Sequence, residues 1–172
     1  APGADGPGSE YEIFLRAIPK DTELFKPELT AGRNLNPDDG HALLLNQKLA
    51  RKMGLGVGDQ VVLDLGEAGE TQWTIVGLIF DLGGRDQNTA YLHRDTLAAD
   101  LNQVGRASVA EIRAIAPTLA AQEAIEKDLR AFFETRGIRL SWTDTSIKSK
   151  ENANAQFSIL TTILLIMTFL IA

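Results

Sequence analysis

The glycine-rich stretch RKMGLGVGDQVVLDL is the first candidate for chemistry in this sequence. It places Gly54, Gly56 and Gly58 within five residues and follows them with Asp59. A loop of this kind binds phosphate when a strand enters it and a helix leaves it, because free N–H groups then face the anion. Here a helix is predicted before the glycines and a strand after them, and no Lys-Ser or Lys-Thr pair follows. The glycines are therefore predicted to end the helix and turn the chain into a strand.

Few other residues have types and spacing that could do chemistry. His41 and His93 are far apart, and neither lies in a metalloprotease or nucleophile-elbow motif. Each is predicted to be a surface or edge residue rather than a ligand. Two acidic loops supply too few oxygen positions for a dedicated calcium site, and their carboxylates, predicted to be turn formers, are Asp38, Asp39, Asp81 and Asp86. We predict no enzyme, and no catalytic, metal-binding or cofactor-binding residue in this chain.

A second glycine motif, TAGRN, carries Gly32 and Arg33. An arginine after a turn glycine can anchor its segment by binding backbone carbonyls or a carboxylate, and the alternative is a solvated side chain. Trp73 and Trp142 lie on predicted strands, either in the core or at an interface. The residues predicted to have structural roles are Gly32, Arg33, Gly54, Gly58, Asp59 and Gly77.

The hydrophobic pattern predicts the elements that position these residues. Strands are predicted at YEIFLRAIP, HALLLN, GDQVVLDL, TQWTIVGLIF, TAYL, ASVAEIRAIA and IRLSW, the third and fourth as an antiparallel hairpin. Helices are predicted at QKLARKM, at HRDTLAADLNQ and at the amphipathic TLAAQEAIEKDLRAFFETRG. Asn46 is the predicted N-cap of the first helix, and Gly54 its left-handed C-terminal residue.

The composition limits the class of protein. Apolar residues make up 44% and charged residues 23% of the 172 residues, which indicates a folded domain rather than a disordered chain. The formal charge of −6 leaves no basic surface, so nucleic acid is not an expected partner. The sequence has no cysteine, which excludes disulfides and thiolate metal sites but does not fix the compartment.

The apolar run FSILTTILLIMTFLIA, residues 157–172, has no charge, glycine or proline. As a helix it would be about 24 Å long, whereas a full span needs about 20 residues to cross roughly 30 Å. We therefore predict the first part of a transmembrane helix, cut off where the sequence stops. The alternative, a buried helix of a soluble core, is disfavoured because such a helix normally carries a polar face. The predicted membrane residues are Phe157, Leu160, Leu164, Met167 and Leu170.

The order of elements predicts an α+β fold with two lobes, a split βαβ unit and an inserted β-rich module, followed by a stalk. The stalk lacks glycine and proline, so one helix could run from it into the bilayer. The predicted boundaries are 1–9 for a linker or cloning remnant, 10–23 with 104–144 for the βαβ-like lobe, 24–103 for the inserted lobe, 145–156 for the stalk and 157–172 for the start of the transmembrane helix.

With these elements placed, the chain resembles the extracytoplasmic domain, the MacB-like periplasmic core domain, of FtsX-like ABC transporter permeases of the MacB and LolC/LolE type. The resemblance covers about residues 10–172 and rests on the order and spacing of several motifs. These motifs are the L-x-x-G-R turn of LTAGR, the strand ending in LN, the joint LA…GLGVGD and the strand W-x-IVGL. A strand–helix–strand and a long helix entering the membrane then follow, as in this family.

The resemblance implies a porter-like split βαβ unit and a mechanical role. Such permeases dimerise and pair with a separate or fused cytoplasmic ATPase, which binds ATP while this chain binds no cofactor. ATP-driven closure moves the stalk helices and the outer domain, for export, lipoprotein release or activation of an outer partner. The implied partners are that ATPase, a second permease copy, the lipid bilayer, and an outer adaptor or hydrolase. The implied location is the bacterial inner (cytoplasmic) membrane, with this domain on the periplasmic or extracellular side.

Two other classes compete with the permease. The sensor domain of a membrane receptor would continue into a signalling helix with heptads rather than into further transmembrane helices. A tethered hydrolase is the least favoured, because histidine is scarce and cysteine is absent. Substrate and subfamily are not specified by any motif here.

Overall fold

A computed structural model gives the fold of this chain. The residues it describes are 10–80, 88–145, 147–148, 151, 154–155, 157–158, 161, 164 and 167–168. The predicted linker at 1–9 and the carboxylates Asp81 and Asp86 lie outside the described residues, as do Leu160 and Leu170 of the predicted membrane segment.

The described chain is mixed α+β, with a six-stranded mixed sheet and three α-helices, which confirms the predicted class. It divides into two compact units, Ala1–Glu111 and Ile112–Ala172. The first unit contains, in chain order, β1 (Phe14–Ile18), β2 (Glu28–Gly32), β3 (Ala42–Asn46), α1 (Gln47–Met53), β4 (Gln60–Asp64), a 3₁₀ turn (Gly66–Ala68), β5 (Glu70–Phe80), β6 (Thr89–His93) and α2 (Arg94–Asp100). The second unit contains α3 (Leu119–Glu134).

The sheet has the order β1-β6-β3-β5-β2, and β4 also pairs with β5. The pairs β1–β6 and β3–β5 are parallel, while β3–β6, β2–β5 and β4–β5 are antiparallel. The predicted hairpin of β4 and β5 is confirmed. β1 was predicted to share a lobe with segment 104–144, but it pairs with β6, which lies in segment 24–103. The lobe boundaries stay a prediction.

Two strands run directly into helices. Asn46 is both the last residue of β3 and the N-cap of α1, where its side chain accepts a hydrogen bond from the N–H of Lys48 at 2.9 Å. Gly54 ends α1 in the left-handed region, with φ 71° and ψ 27°, because a residue without Cβ adopts this conformation at no steric cost. Both predictions are confirmed. His93 likewise ends β6 and occupies the N-cap position of α2, without a capping side-chain bond.

Both faces of the sheet are covered by apolar side chains. All five residues of β3 are buried, as the apolar run predicts, and alternate residues point to opposite faces. The larger cluster consists of Leu43, Leu45, Leu49, Ala50, Leu63, Trp73, Ile75, Ala90, Leu92 and Leu97. The smaller cluster, on the other face, consists of Leu44, Ile79 and Tyr91.

The chain on either side of α3 differs from the prediction. α3 forms as expected, and the hydroxyl of Thr118 caps it by accepting from the N–H of Ala121 at 3.3 Å. However, the described residues of segments 107–116 and 138–142 contain no strand, so the predicted strand–helix–strand is wrong at both strands. A strand exists only through the ladder it makes with a neighbour. Most large apolar side chains of these segments are exposed, namely Val109, Ile112, Ile115, Ile138 and Trp142, while Leu140 is half-buried.

The C-terminal segment is helical wherever it is described between residues 147 and 168. Thr161 donates its hydroxyl hydrogen to the carbonyl of Phe157 at 2.9 Å, and Thr168 donates to that of Leu164 at 2.8 Å. In the part of the chain that is described, none of the helices combines the length and the apolar character that crossing a membrane requires.

Candidate functional site

Five of the six predicted structural residues meet along one edge of β5, and these are Gly32, Arg33, Gly58, Asp59 and Gly77. Residues Glu70–Thr74 of that edge pair with β4, and Gly77–Phe80 pair with β2. β2 and β4 therefore arrive end to end on the same edge, because β3 occupies the other edge. We call the junction between them the seam and define it as Gly32–Arg33, Gly56–Asp59 and Ile75–Gly77.

Two glycines allow the backbones to approach at the seam. Gly32 has a φ of 72° and pairs with Gly77 across the β2–β5 ladder. A Cβ on Gly32 would overlap the carbonyl oxygen of Val76, and one on Gly77 would overlap the carbonyl oxygen of Arg33. The overlapping atoms are backbone atoms that no rotamer change can move. Both positions therefore require glycine for reasons of space.

A bulge in β5 completes this half of the seam. The ladder with β3 passes from Ile75 to Gly77 and skips Val76, and such an extra residue re-aims its backbone groups. The carbonyl of Val76 accepts a hydrogen bond from the N–H of Arg33 at 3.0 Å. The bulge thus supplies the bond that holds the end of β2 to the middle of β5.

The glycine-rich loop forms the other half of the seam. Gly58 donates its N–H to the carbonyl of Ile75 at 2.8 Å, and the N–H of Ile75 donates to the carbonyl of Asp59 at 2.9 Å. The carboxylate of Asp59 accepts from the N–H of Gly56 at 2.7 Å. The N–H groups of Gly56 and Gly58 are thus bonded within the protein, whereas a phosphate loop would present such groups to a ligand. Gly54 lies at the end of α1, outside the seam.

Arg33 binds both a carboxylate and a carbonyl. Its guanidinium makes two parallel bonds to Asp39, Nη1 to Oδ2 at 2.6 Å and Nη2 to Oδ1 at 2.9 Å, and Nη1 also donates to the carbonyl of Asn34 at 2.9 Å. Asp39 accepts a further bond from the N–H of Asn36 at 2.8 Å. The hydrogen bond from Arg33 is the largest cause that holds the pKa of Asp39 below its ordinary value. The Asp39 carboxylate therefore joins both ends of the turn that follows the seam.

The two histidines differ in burial. His93 is only 1% exposed, so its predicted surface or edge placement is wrong. Its Nε2 lies 2.8 Å from the carbonyl of Asn36, which only accepts, so Nε2 carries the proton. Its buried Nδ1 has no hydrogen-bond partner among the described residues. His41 is exposed, and its Nε2 lies 3.0 Å from Oδ2 of Asp100.

The two histidines lie at opposite ends of their strands. His41 lies at the start of β3, and His93 lies at the end of β6 against the Asn36 turn. Within the described ranges, no three of His, Cys, Asp or Glu are grouped so as to hold a metal ion. The contacts described above fix the end of β2, the loop before β4 and the end of β6.

Sequence reasoning missed two parts of this arrangement. The bulge at Val76 has no signal of its own, although its neighbour Gly77, inside an apolar strand, is the residue type that marks bulges and close approaches. The hydrogen bond from His93 to the carbonyl of Asn36 joins residues far apart in the sequence, and no local pattern predicts it. Asp39 carried a signal, because the NPDDG turn offers a carboxylate a few residues after Arg33.

Comparison with known proteins adds no identification. No protein-family model matches this chain, and no curated protein matches it. The functional assignment therefore rests on the residues and contacts described above.

Proposed function

We propose that this chain is the extracytoplasmic domain of an FtsX-like ABC transporter permease of the MacB and LolC/LolE type. In this proposal a cytoplasmic ATPase binds ATP, a second permease copy completes a dimer, and this chain relays the resulting motion on the periplasmic or extracellular side of the bacterial cytoplasmic membrane. The porter-like βαβ lobe, the stalk and the transmembrane helix belong to the same proposal. The chain itself carries out no reaction.

The observation that carries the proposal is the character of the C-terminal helical residues. The side chains of Phe157, Leu164 and Met167 are 70%, 65% and 56% exposed, which is unfavourable in water for large apolar groups. The hydroxyls of Thr161 and Thr168 are bonded to carbonyls one turn earlier. That bond supplies a hydroxyl with a partner where water is absent. Both features suit a lipid environment, and a lipid-anchored helix is what the proposal requires.

The seam supports the same proposal in a second way. The glycines and the arginine of the motifs that resemble the permease family make backbone joints on β5. A motif that closes a sheet belongs to a scaffold, and a scaffold is what a mechanical relay needs. A hydrolase would instead require a nucleophile and a base within hydrogen-bond reach.

The test uses the full-length protein and its cytoplasmic ATPase in reconstituted membranes. A Gly-Gly insertion near Asn152, in the predicted stalk, should abolish the work done per ATP hydrolysed while the outer domain stays folded, because force does not pass through a flexible break. The matched control is a Gly-Gly insertion between Glu67 and Ala68 in the exposed turn before β5. Coupling there should match that of the unmodified protein.

Two results would contradict the permease assignment. One is unchanged coupling with the insertion near Asn152. The other is full-length protein that purifies without any ABC ATPase and continues after residue 172 into a heptad-repeat helix, which would support a receptor sensor domain.

A further inference from the structure

Helix α3 carries a polar stripe that faces the start of the C-terminal segment. Gln122, Glu126 and Arg130 are spaced four residues apart. Side chains four residues apart lie one above the other on the same face of a helix. The stripe therefore presents an amide, a carboxylate and a guanidinium in a row.

All three side chains hold the same short piece of chain. Thr143 donates its hydroxyl hydrogen to Oε1 of Glu126, and Nη2 of Arg130 donates to the hydroxyl oxygen of Thr143 at 2.8 Å. The N–H of Ile147 donates to Oε1 of Gln122 at 3.4 Å. Arg130 also approaches Glu126, with 3.6 Å between Nη2 and Oε1. A hydroxyl that both donates and accepts in this way has its direction fixed from two sides.

The charges around Glu126 favour the hydrogen bond that its carboxylate accepts from Thr143. The pKa of Glu126 is lowered, chiefly by the hydrogen bond from Thr143 and further by Arg130 and Lys148. Desolvation acts in the opposite direction. Two cations and one hydroxyl therefore favour the ionised form of this carboxylate, which is the form that accepts the bond from Thr143 most strongly.

The segment held by the stripe is the last part of the chain before the C-terminal helical residues. Described residues 138–145 are in neither helix nor strand, and helical backbone appears at Ile147. A segment without a ladder or a helix has no regular backbone bonds to fix its position. The side-chain contacts with α3 therefore act on a stretch that lacks such bonds.

We propose that Gln122, Glu126 and Arg130 form a clamp that sets the start of the C-terminal helix against α3, with Glu126 as the central positioning residue. The clamp itself follows from the contacts above. Its role in passing motion from the C-terminal helix to the outer domain rests on the proposed function. The clamp and its role are therefore tested separately.

The clamp is tested by hydrogen exchange in the 172-residue chain held in detergent micelles. Thr143→Val removes the shared hydroxyl and should speed amide exchange over residues 143–148 about fivefold, the size expected for one lost hydrogen bond. Thr143→Ser keeps the hydroxyl and should retain the original exchange rate. Glu126→Gln should speed exchange in the same window, whereas Glu123→Gln makes the same charge change on an exposed position of α3 and should not.

Hydrogen exchange tests the clamp, and ATP-driven work in the full-length protein tests its role. Exchange over 143–148 that is unchanged by Thr143→Val, or that rises equally in Thr143→Ser, overturns the clamp. For the role, the full-length protein with its ATPase should hydrolyse ATP normally but do less work per ATP when it carries Thr143→Val, and Thr143→Ser should restore the work. Faster exchange with unchanged coupling would leave the clamp standing and overturn its role in passing motion. The proposed function would then still be decided by the insertion near Asn152.

Discussion

The two units of this chain are ordered by different forces. In Ala1–Glu111 the sheet buries Trp73, Ile75 and the whole of β3. In Ile112–Ala172 no residue of α3 is buried, and the helix depends on its Thr118 cap and its side-chain contacts. The first unit therefore rests on deep apolar burial, which is large and cooperative, whereas the second combines half-buried apolar side chains with hydrogen bonds that are small and local.

The largest expected effect is the loss of a core side chain. Trp73 is fully buried, and Trp73→Ala should destabilise the sheet by about 3–5 kcal/mol. Trp142 is 65% exposed, and Trp142→Ala should change stability by less than about 0.5 kcal/mol. Urea unfolding followed by far-ultraviolet circular dichroism measures both. If Trp73→Ala does not fold, Ile75→Val should still cost about 1 kcal/mol, and equal effects of the two tryptophans would remove the contrast.

Substitutions at the seam should have the second-largest effect on the free energy of unfolding. Gly77→Ala forces a Cβ against the carbonyl of Arg33 and should cost about 1–3 kcal/mol. Gly40→Ala is the matched control, because nothing lies within 4 Å of a Cβ built there. Denaturant midpoints of the two variants give the comparison. A Gly77→Ala protein as stable as Gly40→Ala would mean that the β2 end does not approach β5 as described.

The Arg33–Asp39 pair should give the sheet unit a dependence on acid. Because the pKa of Asp39 is lowered in the folded state, its contribution is fully present above the unfolded pKa and is lost as pH falls through the folded value. Asp39→Asn should cost about 1 kcal/mol at neutral pH and flatten the acid limb of the stability curve. Asp38→Asn, next in the sequence, serves as the control. If stability falls with acid in the same way in both variants, carboxylates other than Asp39 cause the acid dependence.

The smallest expected effect belongs to the second unit. Thr118→Ala removes the side-chain cap of α3 and should cost that helix about 0.5–1 kcal/mol. The change should appear as faster amide exchange in the first turn of α3, with no shift in the unfolding of the sheet. A measurable loss of sheet stability would show that the two units share one unfolding transition.

Features set by neighbours in the sequence were predictable. The cap at Asn46, the left-handed Gly54, the β4–β5 hairpin and helix α3 each depend on a short stretch of chain. Features set by distant partners were not. The parallel pairing of β1 with β6, the burial of His93 and the absence of strands at 107–116 and 138–142 depend on which segments meet.

The candidate site follows the same division. Gly32, Arg33 and Gly77 stood out because glycine and arginine types carry a local signal at turns and close approaches. Their convergence with Gly58 and Asp59 on one edge of β5 needed the sheet order, because β2 and β4 share that edge only after the chain has passed through β3 and α1. The permease assignment and the lipid contacts stay predictions.

The direct passage from strand to helix has a mechanical consequence. Asn46 pairs with Ile79 while it caps α1, and His93 pairs with Ile18 while it starts α2. A residue that belongs to a ladder and a helix at once has no free dihedral angle with which to act as a pivot. A torque applied to either helix would thus reach the sheet without slack at these two junctions.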